Sequence, residues 1–112
     1  MNVINLAEWR TYSGSKVFSG RERGKVVRER LRIDDLDHAA EPVEVRIPMD
    51  TFSVNQSFFL GMFAKSVRAL GANMFRAHYR FDGPPEALRS IQEGIDVCLH
   101  QGTALDPFLR AH

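Results

Sequence analysis

Two stretches of this chain alternate strictly between apolar and polar residues, and a helical stripe separates them. The first is Val43-Glu44-Val45-Arg46-Ile47, opened by Glu41-Pro42 and closed by Pro48. The second runs from Phe75 to Phe81, with Phe75, Ala77, Tyr79 and Phe81 on one face and Arg76, His78 and Arg80 on the other. Alternation with period two marks a strand buried on one side. Between them Phe59, Met62, Phe63, Ser66, Val67 and Leu70 recur at three- and four-residue spacing, which predicts a helix from about Ser57 to Leu70. Gly71 follows where a left-handed C-terminal cap is expected. A parallel sheet covered on both faces reads apolar on both. The polar-out code of these two strands therefore predicts helices on one face only.

The remaining elements are read around that unit. Asn2 to Leu6 reads as a short first strand, and Lys16 to Phe18 as another, with a turn at Ser13-Gly14. Ser19-Gly20-Arg21-Glu22 has capping-box spacing, and a helix is expected from about Gly20 to Leu31. It would bury Val27 and Leu31, with Gly20 and Gly24 permitting close approach. A last helix begins after Asp82-Gly83-Pro84-Pro85, carries Leu88, Ile91, Ile95 and Cys98 on one stripe, and is expected to stop near Gly102 with His100 in its last turn. Strands separated by helical crossovers lie parallel. The predicted fold class is α/β: a single domain over residues 1–112, with a small, mostly parallel sheet of three to five strands and helices packed mainly on one face.

Composition narrows the function classes. The hydrophobic share of 44% and charged share of 26% are ordinary globular values. The longest apolar runs, of which Phe58-Phe59-Leu60 is one, are far short of the ~20 residues needed to cross a bilayer. No basic-then-apolar leader opens the chain, and the lone Cys98 has no internal disulfide partner. The expectation is a cytoplasmic protein without a membrane segment. The net charge of +1 hides an asymmetry. Seven cations lie between Lys16 and Arg32 against Glu22 and Glu29, and Asp34, Asp35, Asp37, Glu41 and Glu44 follow with no cation before Arg46. A basic helix followed by an acidic loop is the simplest reading, solvated and self-compensating. The alternative is an anionic-ligand or nucleic-acid site on Arg21, Arg23, Lys25, Arg28 and Arg30.

Chemistry motifs are sparse. Gly20-Arg-Glu-Arg-Gly24-Lys25 has three residues between its glycines where a phosphate loop has four, and Val26 stands where a serine or threonine is required. His38, His78, His100 and His112 have no partners at metal-binding spacing, and Cys98 falls on an apolar stripe. No acid–base or nucleophile–base couple stands out, so no enzyme activity, metal or cofactor is expected. The polar strand face with Arg46, Arg76, His78 and Arg80 lacks the exposed aromatics on which bases stack, so nucleic acid is not the expected partner there. Ser53-Val54-Asn55-Gln56-Ser57-Phe58 is more informative. It joins a strand to an apolar helix, and Asn55 or Ser57 can cap that helix. A phosphate on a serine there adds about two negative charges at the positive end of the helix.

Phe18-Ser19-Gly20-Arg21 with Arg28, Val43-Glu44-Val45-Arg46-Ile47-Pro48 and Gln56-Ser57-Phe58-Phe59-Leu60-Gly61-Met62-Phe63 together resemble a bacterial STAS-like family of unknown function. The resemblance spans roughly Gly20 to Leu99. STAS domains include the anti-sigma factor antagonists, which bind an ATPase of the histidine-kinase fold and switch at a serine on a helix start, within an Asp-Ser-Ser-Gly-Leu-like motif. The resemblance implies that Ser57 takes the place of the phosphorylated serine, with Ser53, Asn55, Gln56 and Phe58 contacting the partner. Here Asn55 replaces the aspartate, Gln56 the first serine and Phe58 the glycine. The implied function is a partner-binding module with no catalytic activity, which the resemblance supports better than phosphotransfer at Ser57.

Overall fold

The chain is α/β, as its patterning predicts. The computed structural model describes residues 2–10 and 14–110. Among the described residues are strands β1 (Asn2–Asn5), β2 (Val17–Phe18), β3 (Val43–Arg46), β4 (Ser53–Val54) and β5 (Tyr79–Asp82). The helices are α1 (Arg21–Leu31), α2 (Ile33–Leu36), α3 (Gln56–Leu70), α4 (Ala72–His78) and α5 (Pro85–Arg110). One parallel sheet has the order β1-β3-β5, and β2 pairs with β4 in a second, two-stranded parallel sheet.

Register explains the single helical layer. Ile4, Val45 and Phe81 align across the larger sheet, as do Asn2, Val43 and Tyr79. Ile4, Val43, Val45 and Tyr79 are buried beneath the helices. The opposite face carries Val3, Arg46 and Arg80, all exposed, with Glu44 paired to Arg46 at 2.9 Å. Phe63 of α3 is the hub of the core: the rings of Phe59, Phe75, Tyr79 and Phe81 surround it at centroid separations of 5.0 to 5.7 Å.

Several boundaries differ from the sequence reading. The stretch from Phe75 to Phe81 is a strand only from Tyr79; Ala72–His78 is helical. Phe75 and Tyr79 are four residues apart, a spacing that satisfies a helix and a strand equally. Both rings reach the core, while Ala77, expected inside, is exposed. Arg76 and His78 thereby leave the sheet, and only Arg46 and Arg80 remain of the basic platform. The Ser19 capping box does not form: Gly20 is the N-cap at φ 93°, without a side-chain cap. The last helix continues through Gly102 to Arg110. Ser13 and His112 lie outside the described residues.

Helices α1 and α3 cross at unusually close range. A Cβ on Gly24 would collide with the Phe58 carbonyl oxygen and lie 2.9 Å from the Met62 amide nitrogen. A Cβ on Gly61 would strike the Arg21 carbonyl oxygen and lie 3.0 Å from the Lys25 nitrogen. Two glycines, one on each helix, thus bring backbone against backbone.

The crossing also locks a buried polar cluster. Arg28, buried on α1, donates from Nη1 to the Met62 carbonyl and Ser66 Oγ, both at 2.8 Å. Its Nε and Nη2 reach Asp34, and Nη2 also reaches Asp37 Oδ2 at 3.3 Å. Asp37 Oδ1 accepts from Ser66 Oγ at 2.7 Å and from the Tyr79 hydroxyl at 2.6 Å. The acidic stretch is therefore not a separate loop: Asp34 of α2 and Asp37 just after it fold back onto Arg28. The hydrogen bond from Arg28 holds the Asp34 carboxyl below the usual carboxylate range.

Burial, then the hydrogen bond to Asp37, pushes the Tyr79 phenol well above its ordinary value of 10.0. The folded state thus favours the neutral phenol, so this stability is complete below about pH 10 and is lost as pH rises toward the higher folded value. Each pH unit in that window should remove about 1.4 kcal/mol for this one group. Urea midpoints at pH 9, 10 and 11 should therefore fall more steeply for the wild type than for Tyr79→Phe. Parallel slopes in the two proteins would contradict the assignment.

Candidate functional site

The segment joining β4 to α3 is shaped by the parallel β2–β4 pair. The Phe52 amide donates to the Lys16 carbonyl at 2.6 Å and the Asn55 amide to the Phe18 carbonyl at 2.7 Å. From the other side, Ser90 Oγ accepts the Val54 amide at 3.0 Å. Asn55 is the N-cap of α3, its Oδ1 accepting from the Ser57 amide at 2.9 Å. The chain turns there because a short polar side chain replaces the missing helical acceptor.

This geometry sorts the sequence-derived residues. Asn55, Gln56 and Ser57 are exposed and Ser53 is half-buried. Ser57 sits in the first turn of α3, on its solvent side. Phe58 is corrected: it is fully buried, its ring 5.5 Å from that of Phe18, so it cannot meet a partner. The residue after an N-cap pair points wherever the helix phase sends it, and here the apolar stripe begins one residue earlier than read.

The loop before β4 supplies what the sequence reading missed. Met49 and Phe52 are 75% and 69% exposed. The loop is held, not slack: Arg10 Nη2 pairs with Asp50 Oδ1 at 2.7 Å, and the Thr51 amide donates to the Pro48 carbonyl at 3.0 Å. Two large apolar side chains thus stand in water on a pinned support, separated along the chain from the exposed start of α3 only by the short β4. Only composition marks them in the sequence: Met49-Asp50-Thr51-Phe52 has no period that would send an apolar residue inward.

Comparison with protein-family models, with curated proteins and with solved structures finds no match.

The cations expected to form one anionic-ligand patch are divided by the fold. Arg21 and Lys25 face a groove of about 580 Å³ between α1 and α3. Arg23 turns to the opposite side of α1, where Nη2 donates to the Arg10 carbonyl at 2.6 Å. Arg30 lines a cleft on that side too, with Trp9 and Val26. Arg28 is corrected as an anion ligand: all its donor nitrogens are engaged by protein acceptors. In exchange α3 contributes Lys65 and Arg68 to the groove. Their link to α1 was detectable only through Gly24 and Gly61, the two glycines set in helical stripes. Cys98 is buried, and burial raises its thiol above the ordinary range, opposite to what a nucleophile needs. His38 is exposed, and among the described residues no group of three metal-ligating side chains assembles. No described helix is long and apolar enough to cross a membrane.

Proposed function

We propose that this chain is a STAS-like regulatory module that acts by binding a protein partner, with the loop 49–52 and the exposed start of α3 as its contact surface. The observation that carries the reading is the exposure of Met49 and Phe52 on a loop fixed by the Arg10–Asp50 pair, next to exposed Asn55, Gln56 and Ser57. Aromatic and methionine side chains are enriched at protein interfaces, and a rigid support lowers the entropy lost on docking. Phe52 takes the apolar role that the sequence reading assigned to Phe58. The resemblance to anti-sigma factor antagonists supports an ATPase of the histidine-kinase fold as partner and Ser57 as the regulating hydroxyl. A phosphate on Ser57 would put about two negative charges beside the contact loop.

The test pairs the chain with such an ATPase and measures affinity by calorimetry. Phe52→Ser should weaken binding by roughly 30-fold or more, as loss of an interface anchor does. Ser57→Asp should change it by about 5- to 150-fold, the usual range of a regulatory coupling. After incubation with ATP, mass spectrometry should place any phosphate on Ser57. Wild-type affinity in both variants, or phosphate confined to another residue, would reject the proposal.

A further inference from the structure

We infer that the groove between α1 and α3 binds an acidic, partly apolar peptide segment. One wall carries Arg21 and Lys25, spaced by one helical turn, and the other carries Lys65 and Arg68, spaced by slightly less than one turn. The floor between them is Leu60, Gly61 and Ala64, nearly closed with Leu60 at 8% and Ala64 at 9% exposure, so the apolar surface open to a ligand is chiefly the stems of the rim cations. Charge favours an anion. Among the described residues, with the Arg28–Asp34 pair and the Arg32–Asp35 pair at 3.0 Å set aside as internally neutralised, Arg21, Lys25, Lys65 and Arg68 face one carboxylate, Glu29. Lys25 and Lys65 expose 55% and 72% of their side chains along the two rims; their pairs, with Glu22 at 3.4 Å and Asp34 at 3.9 Å, are long and solvated, so a ligand carboxylate can compete for both.

The same lining argues against other anions. A nucleic-acid backbone carries negative charge at every step and would meet Glu29, whereas a peptide can set an uncharged residue there. Among the described residues no aromatic side chain lines the groove to stack a base. A small phosphorylated molecule is usually held in a concave site that buries most of its surface, whereas this groove lies open along the rims. A peptide fits, because its carboxylates can reach the rims while its small apolar side chains lie along the stems of the rim cations. The inference stands on the groove alone and needs neither Ser57 nor the 49–52 loop.

The experiment titrates the full chain with an end-capped peptide of alternating glutamate and alanine, followed by amide NMR shifts. Inorganic tripolyphosphate and a duplex oligonucleotide are titrated in parallel. The peptide should shift Gly61, Ala64 and Lys65 and should bind more weakly as salt rises. Lys25→Glu and Lys65→Glu should each weaken it about fivefold or more, since each reversal replaces an attraction worth up to one exposed ion pair by a repulsion. Arg30→Glu, the same charge change on the far side of α1, should alter affinity less than either groove reversal. Absence of peptide shifts at low salt would overturn the inference. So would tighter binding of tripolyphosphate or duplex at the same residues, or an Arg30→Glu effect equal to those of the groove variants. Thermal unfolding matching the wild type would show that the variants remain folded. Ser57→Asp and Phe52→Ser should leave the peptide shifts at Ala64 and Lys65 in place, which separates failure of the groove from failure of the partner surface.

Discussion

Gly61→Ala should lower the unfolding midpoint by roughly 10 °C or more, although alanine is the better helix former. In an unobstructed helix interior this substitution stabilises by about 1 kcal/mol. At position 61 the new methyl group would strike the Arg21 carbonyl oxygen and crowd the carbonyl carbon and the Lys25 nitrogen, both at 3.0 Å. These are backbone atoms of a neighbouring helix, so no rotamer change relieves the clash and α1 must move away from α3. Overpacking commonly costs about 1–3 kcal/mol and sometimes more. Here separation would also loosen the Arg28 contacts to Met62 and Ser66, which places the expected net loss near 3 kcal/mol or above. For a domain of this size a loss of 1 kcal/mol lowers the midpoint by about 4 °C. Gly24→Ala should behave the same way, since its Cβ meets the Phe58 carbonyl and the Met62 nitrogen. Calorimetric unfolding of the two variants is the measurement. A midpoint at or above the wild type would mean that the helices do not cross as closely as described.

How much of this was readable in advance follows from which physical signals are local. The β3 strand and the α3 stripe were legible because period and burial agree over several residues, and helix coverage of one sheet face followed from the polar-out code of Val43 to Ile47. The boundary at Tyr79 was not, because Phe75 and Tyr79 fit both periods and only packing around Phe63 decides between them. The start of α3 was readable from Asn55, a short-range effect of one side chain on one amide. The fates of Phe58, Arg23 and Arg28 were not, since each depends on what lies across from it: Phe18 for the ring, Arg10 for Arg23, and α2 with α3 for Arg28. The groove belongs to the same class, for Lys65 and Arg68 join Arg21 and Lys25 only when the two glycines bring the helices together.

Arg28→Met should cost about 3–5 kcal/mol, the range for removing one partner of a buried ion pair. The reason lies in what is left behind. Asp37 is 9% exposed, and without the guanidinium its charge keeps, among the described residues, the Ser66 and Tyr79 hydroxyls as donors. The Met62 carbonyl and Ser66 oxygen lose their 2.8 Å donors at the same time. Asp34 matters less, because it is exposed and water replaces its partner. Adding Asp37→Asn separates these contributions. The amide oxygen can still accept from Ser66 and Tyr79, but the stranded charge is gone. The double variant should therefore be more stable than Arg28→Met alone by about 1–2 kcal/mol, within the usual coupling of contacting residues. Asp37→Asn in the wild-type background should instead destabilise, since the buried guanidinium then loses its buried counter-charge. A cycle of urea unfolding curves on the four proteins measures the coupling directly. Additive effects would mean that Arg28 stabilises the fold through its aliphatic stem and hydrogen bonds alone, and that the buried charge pairing between α1 and α2 contributes nothing.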